Sequence, residues 1–274
     1  MIRRILQIRQ RVKSSDALIH CITHPIAIND CANVVLAAGA RPIMAEHPEE
    51  VCQITKSASA LSVNLGNITD VRMQSMLLAG QTARQHHIPS ILDVVGIGCS
   101  DLRLDYAREY IQKNRPTVIK GNMAEIRVLA GLPAAVSGID AASCDQINKS
   151  NQKEMLTHTG NLARQTHAVI LATGKTDLIT DGHHAFLVSN GSDMMRLITG
   201  TGCMLGVLTA ACLAAAEPVD ACTAAAVMFG ICGQLAASAG GPGSFKPLLL
   251  DHLYSLSEQD ILSLAKIECY GGEA

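Results

Sequence analysis

Short apolar segments alternate along the chain with longer segments in which apolar residues recur at helical spacing. Apolar runs of strand length occupy 17–23, 42–45, 60–65, 89–95, 116–120 and 168–173. Between them lie segments with the three-to-four-residue apolar period of helices, such as 69–87, 101–114 and 146–165. Asn29 or Asp30 is expected to cap a further helix that ends near Gly39. Strands that alternate with helices in this way are typical of a mostly parallel sheet covered by helices on both faces. The pattern therefore predicts an α/β fold with a mostly parallel central sheet, in a single domain over 1–274.

The last third of the chain has a different pattern. Segments 176–180 and 184–189 flank the turn Asp181-Gly182-His183, which predicts a hairpin. After residue 203 the pattern predicts helices alone. Two stretches without charge, 197–216 and 221–245, are long enough to span a bilayer. They consist mostly of Ala, Gly, Thr, Ser and Cys, which favours two buried helices of a soluble core; solubility without detergent would exclude the membrane alternative.

The composition limits the partners of the protein. Charged residues make up 17% of the 274 residues, against roughly 25% in ordinary globular domains. The formal net charge is −2, with three Phe, four Tyr and no Trp. A nucleic-acid partner is therefore not expected, since such proteins use basic surfaces or stacking rings. With few charges to cover an exterior, we expect part of the surface to be buried against other subunits.

Ten cysteines are present, and their spacing is not that of a disulfide framework or a zinc site. The sequence holds no C-x-x-C and no His/Cys cluster at zinc spacing. Residues 1–10 are charged and amphipathic, without the apolar segment of a signal peptide. We therefore expect a cytoplasmic protein, with no membrane association, whose cysteines mostly fill a reduced core.

The segment Gly200-Thr201-Gly202-Cys203 is the strongest candidate for chemistry. A glycine turn leads into an uncharged helix, whose first N–H groups have no helical partner and attract anions. The turn lies late in the chain and lacks the third glycine of a dinucleotide fingerprint, so a Rossmann dehydrogenase is not expected. The pattern predicts an anion hole at Gly200, Thr201 and Gly202. A helix start would lower the pKa of Cys203, unless this residue is one more buried core cysteine.

Polar residues also follow three predicted strands. Asn122 and Glu125 have the spacing of a capping box, and they also suit magnesium, its waters and phosphate oxygens. Lys120 adds a positive charge, and Thr173 ends a buried strand. Asp93 is either a solvated loop residue or half of a carboxylate pair with Glu125. An anion hole, a cation and two carboxylates are the groups that phosphoryl transfer requires.

Taken together, these segments are similar to the hydroxyethylthiazole kinase family of thiamine salvage, within the ribokinase-like superfamily. The likeness runs through 20–23, 32–33, 38–45, 92–96, 120–125, 199–203 and 240–245. It implies a ribokinase-like three-layer fold and phosphorylation by ATP of the primary alcohol of 4-methyl-5-(2-hydroxyethyl)thiazole. It also implies Mg²⁺ as cofactor and a homotrimer with active sites between subunits.

The resemblance further implies roles for single residues. Met44 would contact the thiazole, and Gly200 would line the substrate pocket. Lys120 and Thr173 would contact ATP. Asp93 and Glu125 would hold magnesium or its waters, with support from Asn122. Cys203 stands where many ribokinase-like enzymes have an aspartate base. We expect it to orient the alcohol and at most to assist deprotonation, since positioning and charge dominate phosphoryl transfer.

The chain departs from the family pattern at three places. Val94 stands where proline is usual after Asp93, Lys120 stands where arginine is frequent, and His24-Pro25 replaces a commoner pair in the substrate loop. His24 either donates to the thiazole nitrogen or is a surface histidine. Two alternatives remain at this point: a ribokinase-like kinase for another small alcohol, such as hydroxymethylpyrimidine, and a catalytically inactive nucleotide-binding module or trimeric scaffold.

Overall fold

The computed structural model describes residues 1–132, 147 and 150–271. In this part of the chain nine strands form one sheet, in the order β2-β1-β3-β4-β5-β6-β7-β8-β9. The strands are β1 Leu18–Ile22, β2 Arg41–Ile43, β3 Ala60–Asn64, β4 Ser90–Asp93, β5 Val118–Asn122, β6 Val169–Thr173, β7 Asp177–Thr180, β8 Ala185–Val188 and β9 Ile267–Tyr270.

The helices connect and cover these strands. They are α1 Ile2–Ser14, α2 Ile28–Ala38, α3 Val51–Ser57, α4 Asp70–Gln85, α5 Asp101–Asn114, α6 Met123–Leu129, α7 Gln152–Thr166, α8 Thr201–Leu213, α9 Pro218–Leu235, α10 Pro242–Ser255 and α11 Glu258–Leu264. The predicted helix at 146–165 corresponds to α7, and its predicted start at Gln146 lies outside the described residues.

Strands β1 to β6 are parallel, and β7, β8 and β9 continue the sheet in antiparallel pairing. The mostly parallel sheet and the hairpin of β7 and β8 are confirmed. The prediction that only helices follow residue 203 is wrong, because β9 pairs with β8. The strand has four residues, none of them fully buried, and so it lacks the apolar run by which the other strands were recognised.

Each face of the sheet has its own hydrophobic core, because successive side chains of a strand point to opposite faces. Ile91 of β4 packs in the core built with α1, α2, α8, α9 and α10. Its neighbour Leu92 packs in the core built with α3 to α7. Helices therefore lie on both faces, and the predicted three-layer arrangement is confirmed in the described chain.

The uncharged stretches correspond mainly to α8 and α9, which are buried on almost all sides. In the described chain, the segment Pro218–Ser238 has the length and apolarity of a membrane span, but 78% of its most apolar window is buried inside the protein. Burial in the core accounts for the absence of charge.

The start of α2 differs from the prediction. Asn29 or Asp30 was expected to cap it, but the N-cap is Ala27 and no side-chain cap bond forms there in the described chain. A turn between His24 and Ala27, closed by a backbone hydrogen bond of 3.0 Å, begins the helix earlier. The helix ends as predicted at Gly39, which has a φ of +97°. This backbone conformation favours glycine.

Candidate active site

Three neighbouring strands place Asn64, Asp93 and Lys120 side by side. In the sheet register Asn64 is opposite Asp93, and Asp93 is opposite Lys120. Residues paired in this way project on the same face of the sheet. Lys120 Nζ lies 2.9 Å from Asp93 Oδ2, and Asn64 Nδ2 donates to the same oxygen at 3.0 Å. All three side chains are buried.

The charges of this row are partly compensated. Burial by itself would lower the pKa of Lys120, but the adjacent Asp93 carboxylate outweighs it and the pKa is raised. Lys120 is therefore an ammonium group paired with Asp93. The other carboxylate oxygen, Asp93 Oδ1, is buried, and no donor in the described chain reaches it. An unpartnered buried carboxylate oxygen is suited to accept a cation or a polar ligand.

Helix α8 covers this row through a face without side chains. Gly202 and Gly206 are four residues apart and so lie on one side of the helix. A Cβ added at Gly202 would lie 3.6 Å from Lys120 Nζ, and one added at Gly206 would lie 3.6 Å from Asp93 Oδ2. The glycines therefore let the helix backbone approach the charged pair.

The first turn of α8 is open. Its N-cap is Gly200, with a φ of +90°, and within the described residues no side-chain cap bond forms at this end. The hydroxyl of Thr201 donates backwards to the carbonyl of Met195 at 3.0 Å. Thr201 therefore contributes its backbone rather than its hydroxyl to this end. Unpaired N–H groups and the positive end of the helix dipole make such a start an anion site.

Cys203 lies between this helix and two strand-end loops. Its Sγ is 3.3 Å from Asn64 Nδ2 and 3.2 Å from His24 Nε2. His24 is buried, so the surface-histidine alternative is wrong. Burial raises the pKa of Cys203 to about 12; Asp93 also raises it, while Lys120 and Asn64 lower it. The prediction of a lowered thiol pKa is therefore wrong, because loss of solvent outweighs the helix start.

Glu125 and Asn122 form the capping box that their spacing predicts. Glu125 Oε2 accepts the N–H of Asn122 at 2.7 Å, and Asn122 Oδ1 accepts the N–H of Glu125 at 2.9 Å. Glu125 Oε1 accepts the N–H of Gly96 at 2.7 Å. Burial raises the pKa of Glu125 to about 7, although the hydrogen bond from Gly96 opposes this. Both oxygens of this carboxylate are thus already engaged by backbone donors.

Thr173 and Met44 lie at the ends of β6 and β2. Thr173 is opposite Asn122 in the register, and its hydroxyl donates to the carbonyl of Gly121 at 3.3 Å. Met44 is half-buried and packs against the core that includes Cys203. Both therefore lie at the carboxyl edge of the parallel strands, the edge at which open α/β sheets bind ligands.

Three further polar residues of this edge were not found from the sequence. Asn64 is a polar residue at the end of an apolar strand. The same pattern selected Asp93, so it could also have selected Asn64. Arg103 donates to the carbonyls of Leu65 at 2.5 Å and Gly66 at 3.2 Å. The sequence does not indicate these contacts, because Arg103 lies within a helix, away from any strand end. Asp177 accepts the N–H of Gly174 at 2.9 Å, and burial raises its pKa to about 7.

Comparison with known proteins identifies the family. The model of the hydroxyethylthiazole kinase family matches residues 9–259. A curated relative, hydroxyethylthiazole kinase 2 of Clostridium botulinum strain Hall, is 48% identical over 97% of this chain and 100% of its own length.

Solved structures agree with this result. The hydroxyethylthiazole kinase protein of Pyrococcus horikoshii OT3 is 33% identical, with a TM-score of 0.89 over 98% of this chain and 99% of that chain. A ribokinase-like superfamily protein of Enterococcus faecalis V583 shares the fold, with a TM-score of 0.61 at 15% identity over 90% of this chain and 89% of that chain. The ribokinase-like fold is confirmed, and the chain belongs to the hydroxyethylthiazole kinase family.

Proposed function

We propose that the protein transfers the terminal phosphoryl group of ATP to the primary alcohol of 4-methyl-5-(2-hydroxyethyl)thiazole, a step of thiamine salvage. Family membership supports the substrate. The observation that carries the reaction is the open start of α8 beside the buried Asp93–Lys120 pair. It combines an anion site with an ammonium group and a carboxylate, and phosphoryl transfer depends on such positioning and charge.

Each element of the site has a role in this proposal. The backbone N–H groups of 200–203 stabilise the phosphoryl group in transit, as an anion hole does. Lys120 and Thr173 contact ATP, while Met44 and Gly200 line the thiazole pocket. Cys203 orients the alcohol: as a neutral thiol with a pKa of about 12, it is a poor source of thiolate at pH 7. The whole of 1–274 acts as a single domain.

Magnesium fits this site through Asp93. Asp93 Oδ1 is the buried oxygen that lacks a donor in the described chain, and one or two carboxylates with phosphate oxygens are usual for Mg²⁺. Both Glu125 oxygens already accept backbone N–H groups, so Glu125 and Asn122 would support the ion through its bound waters. The ion would supply positive charge to the phosphate oxygens.

The proposal includes a cytoplasmic homotrimer with active sites between subunits. Large exposed apolar side chains support the subunit contacts: Ile26 is 71% exposed, Leu36 55% and Leu197 63%. The nine described cysteines are all free, which fits a reducing compartment. A single species of three times the chain mass in light scattering is expected, and a monomer at micromolar concentration would contradict the trimer.

The activity is tested by ADP release with the thiazole alcohol, with and without Mg²⁺. We expect release that requires both, and much less with hydroxymethylpyrimidine as the alcohol. Binding of ATP without alcohol-dependent release of ADP would instead favour an inactive nucleotide-binding module. Preference for the pyrimidine would favour the other kinase.

The role of Cys203 is tested in the same assay. Cys203→Ala should lower kcat and yet leave measurable turnover, because positioning and charge persist without the sulfur. Cys203→Asp should match or exceed the parent, since a carboxylate is a ready acceptor for the alcohol hydrogen. Complete inactivity of both variants, with fold and ATP binding intact, would contradict this role.

A further inference from the structure

The hydrogen bond from Asn64 to Cys203 has a fixed direction. Asn64 Oδ1 accepts the N–H of Gly66 at 2.8 Å, so the other end of the amide, Nδ2, is the donor. An amide nitrogen carries two hydrogens. One is directed to Asp93 Oδ2 and the other to Cys203 Sγ, at 3.0 Å and 3.3 Å. The sulfur therefore receives a hydrogen from this side.

His24 contacts the same sulfur from the substrate loop. Its Nε2 lies 3.2 Å from Cys203 Sγ. The imidazole is held in place by the chain after β3, since a Cβ added at Gly66 would lie 2.5 Å from its Cδ2 atom. Burial lowers the pKa of His24, with Asp93 opposing this and Arg72 adding to it. A neutral imidazole has one nitrogen that accepts a hydrogen bond.

Of the two side-chain atoms within hydrogen-bond distance of Cys203 Sγ in the described chain, His24 Nε2 is the one that can accept the thiol hydrogen, because Asn64 Nδ2 is a donor. The Asn64 side of the sulfur is occupied by a donor, and a thiol hydrogen directed at the substrate would bind the lone pair of the alcohol. A hydrogen bond to either lone pair of that oxygen would make it less nucleophilic toward phosphorus and would leave the alcohol hydrogen without the sulfur as its acceptor, so this orientation would oppose the reaction. Directing the hydrogen to His24 Nε2 leaves a sulfur lone pair free to accept the hydrogen of the alcohol instead.

We propose that His24 is a positioning residue that accepts the thiol hydrogen of Cys203 and so presents a sulfur lone pair to the substrate alcohol. Asn64 holds the sulfur from the opposite side. The inference rests on the proposed role of Cys203. It assigns His24 to the sulfur rather than to the thiazole ring, and it predicts that His24 affects kcat rather than the binding of the alcohol.

Single variants separate the two roles of His24. We expect His24→Ala to lower kcat at least about tenfold and to change KM for the thiazole alcohol less than about threefold. His24→Gln should keep kcat within about threefold of the parent, because its amide oxygen reaches the place of Nε2 and accepts the same hydrogen. His24→Asn is too short to do so and should resemble His24→Ala. His183→Ala, on the exposed turn between β7 and β8, should match the parent.

A double variant tests whether His24 acts through Cys203. In the Cys203→Ala background, His24→Ala should add less than about a twofold loss of kcat, since the residue that it positions is gone. An undiminished tenfold loss in that background, or a loss confined to KM, would overturn the inference and leave the role of Cys203 intact. Failure of His24→Gln to restore kcat in a folded protein would also overturn it.

The same series tests the proposed role of Cys203 separately. If Cys203→Ala turns over as fast as the parent, that role is wrong and the inference fails with it. If Cys203→Ala is slower than the parent and the loss from His24→Ala persists beside it, only the inference fails. Thermal unfolding of each variant identifies any loss that comes from misfolding.

Discussion

Helices α6 and α8 both contribute their first residues to the candidate site, and the two starts are satisfied in opposite ways. Asn122 and Glu125 close the start of α6 with a complete capping box, and Glu125 also binds the N–H of Gly96. At α8 the N-cap is Gly200, and the part of the chain that the structure describes provides no side-chain cap bond. One start is completed by the protein's own side chains, and the other is the place where we propose that the phosphoryl oxygens bind.

The difference shows how one sheet edge can combine rigidity with an anion site. A capped start is worth about 1 kcal/mol and fixes the loop that precedes it. An uncapped start forgoes this stabilisation, and its N–H groups remain able to bind phosphate oxygens. The Asp93–Lys120 pair that α8 covers is held by β4 and β5 rather than by the helix.

Closing the start of α8 should have the largest effect. In Gly202→Asp the new carboxylate would lie beside Lys120, because a Cβ at this position is 3.6 Å from Lys120 Nζ. It would occupy the place proposed for the phosphoryl oxygens, and we expect kcat to fall by about 100-fold or more. Gly202→Ala adds only the Cβ and should lose far less. Equal losses in the two variants would show that space rather than charge is limiting.

A third hydrogen bond from a backbone N–H to a side chain at this edge, that of Gly174 with Asp177, should affect the pH dependence of stability. Asp177 accepts the N–H of Gly174, and burial raises its pKa to about 7. As the pH rises, the unfolded chain releases this proton before the folded protein does. The contribution of Asp177 to stability is therefore lost progressively as the pH rises from about 4 to about 7. The pKa of Glu125 is also raised, to about 7, so this residue likewise makes the protein less stable as the pH rises.

Asp177→Asn keeps an oxygen for Gly174 and removes one of these two contributions. Its free energy of unfolding in urea should fall less between pH 5 and pH 8 than that of the parent, by about 2 kcal/mol. Asp251→Asn, at an exposed position of α10, should follow the parent. Parallel curves for Asp177→Asn and the parent would contradict the prediction.

Opening the start of α6 should have the smallest effect. Asn122→Ala removes the oxygen that accepts the N–H of Glu125, and we expect a loss of about 1 kcal/mol in the free energy of unfolding. Asn122→Ser supplies a hydroxyl cap and should recover most of it. A loss with serine as large as that with alanine would show that the cap is not what stabilises this end.

The sequence was sufficient where local pattern decides structure. The alternation of apolar runs predicted the parallel strands. Polar residues at the ends of these strands selected Asp93 and Lys120, and the glycine turn before an uncharged helix selected Cys203. The capping box of α6 was predicted from the spacing of two residues.

What the sequence did not predict depends on contacts between distant segments. The pair of His24 and Cys203 joins residues 179 positions apart, and that of Lys120 and Asp93 joins residues 27 apart. The direction of the thiol pKa shift depends on burial, which opposes the local effect of the helix start. Strand β9 is defined by its partner β8 rather than by its own residues.

The late position of β9 also affects how the protein folds. Strand β8 ends at Val188, and β9 begins only at Ile267, after four helices. During synthesis the Ala-Phe-Leu-Val edge of β8 therefore has no strand partner on one side until the polypeptide has emerged as far as Tyr270. An unpaired apolar edge of this kind is a site where nascent chains associate with each other. Strand β9, although half-exposed itself, is the segment that ends this period of exposure to aggregation.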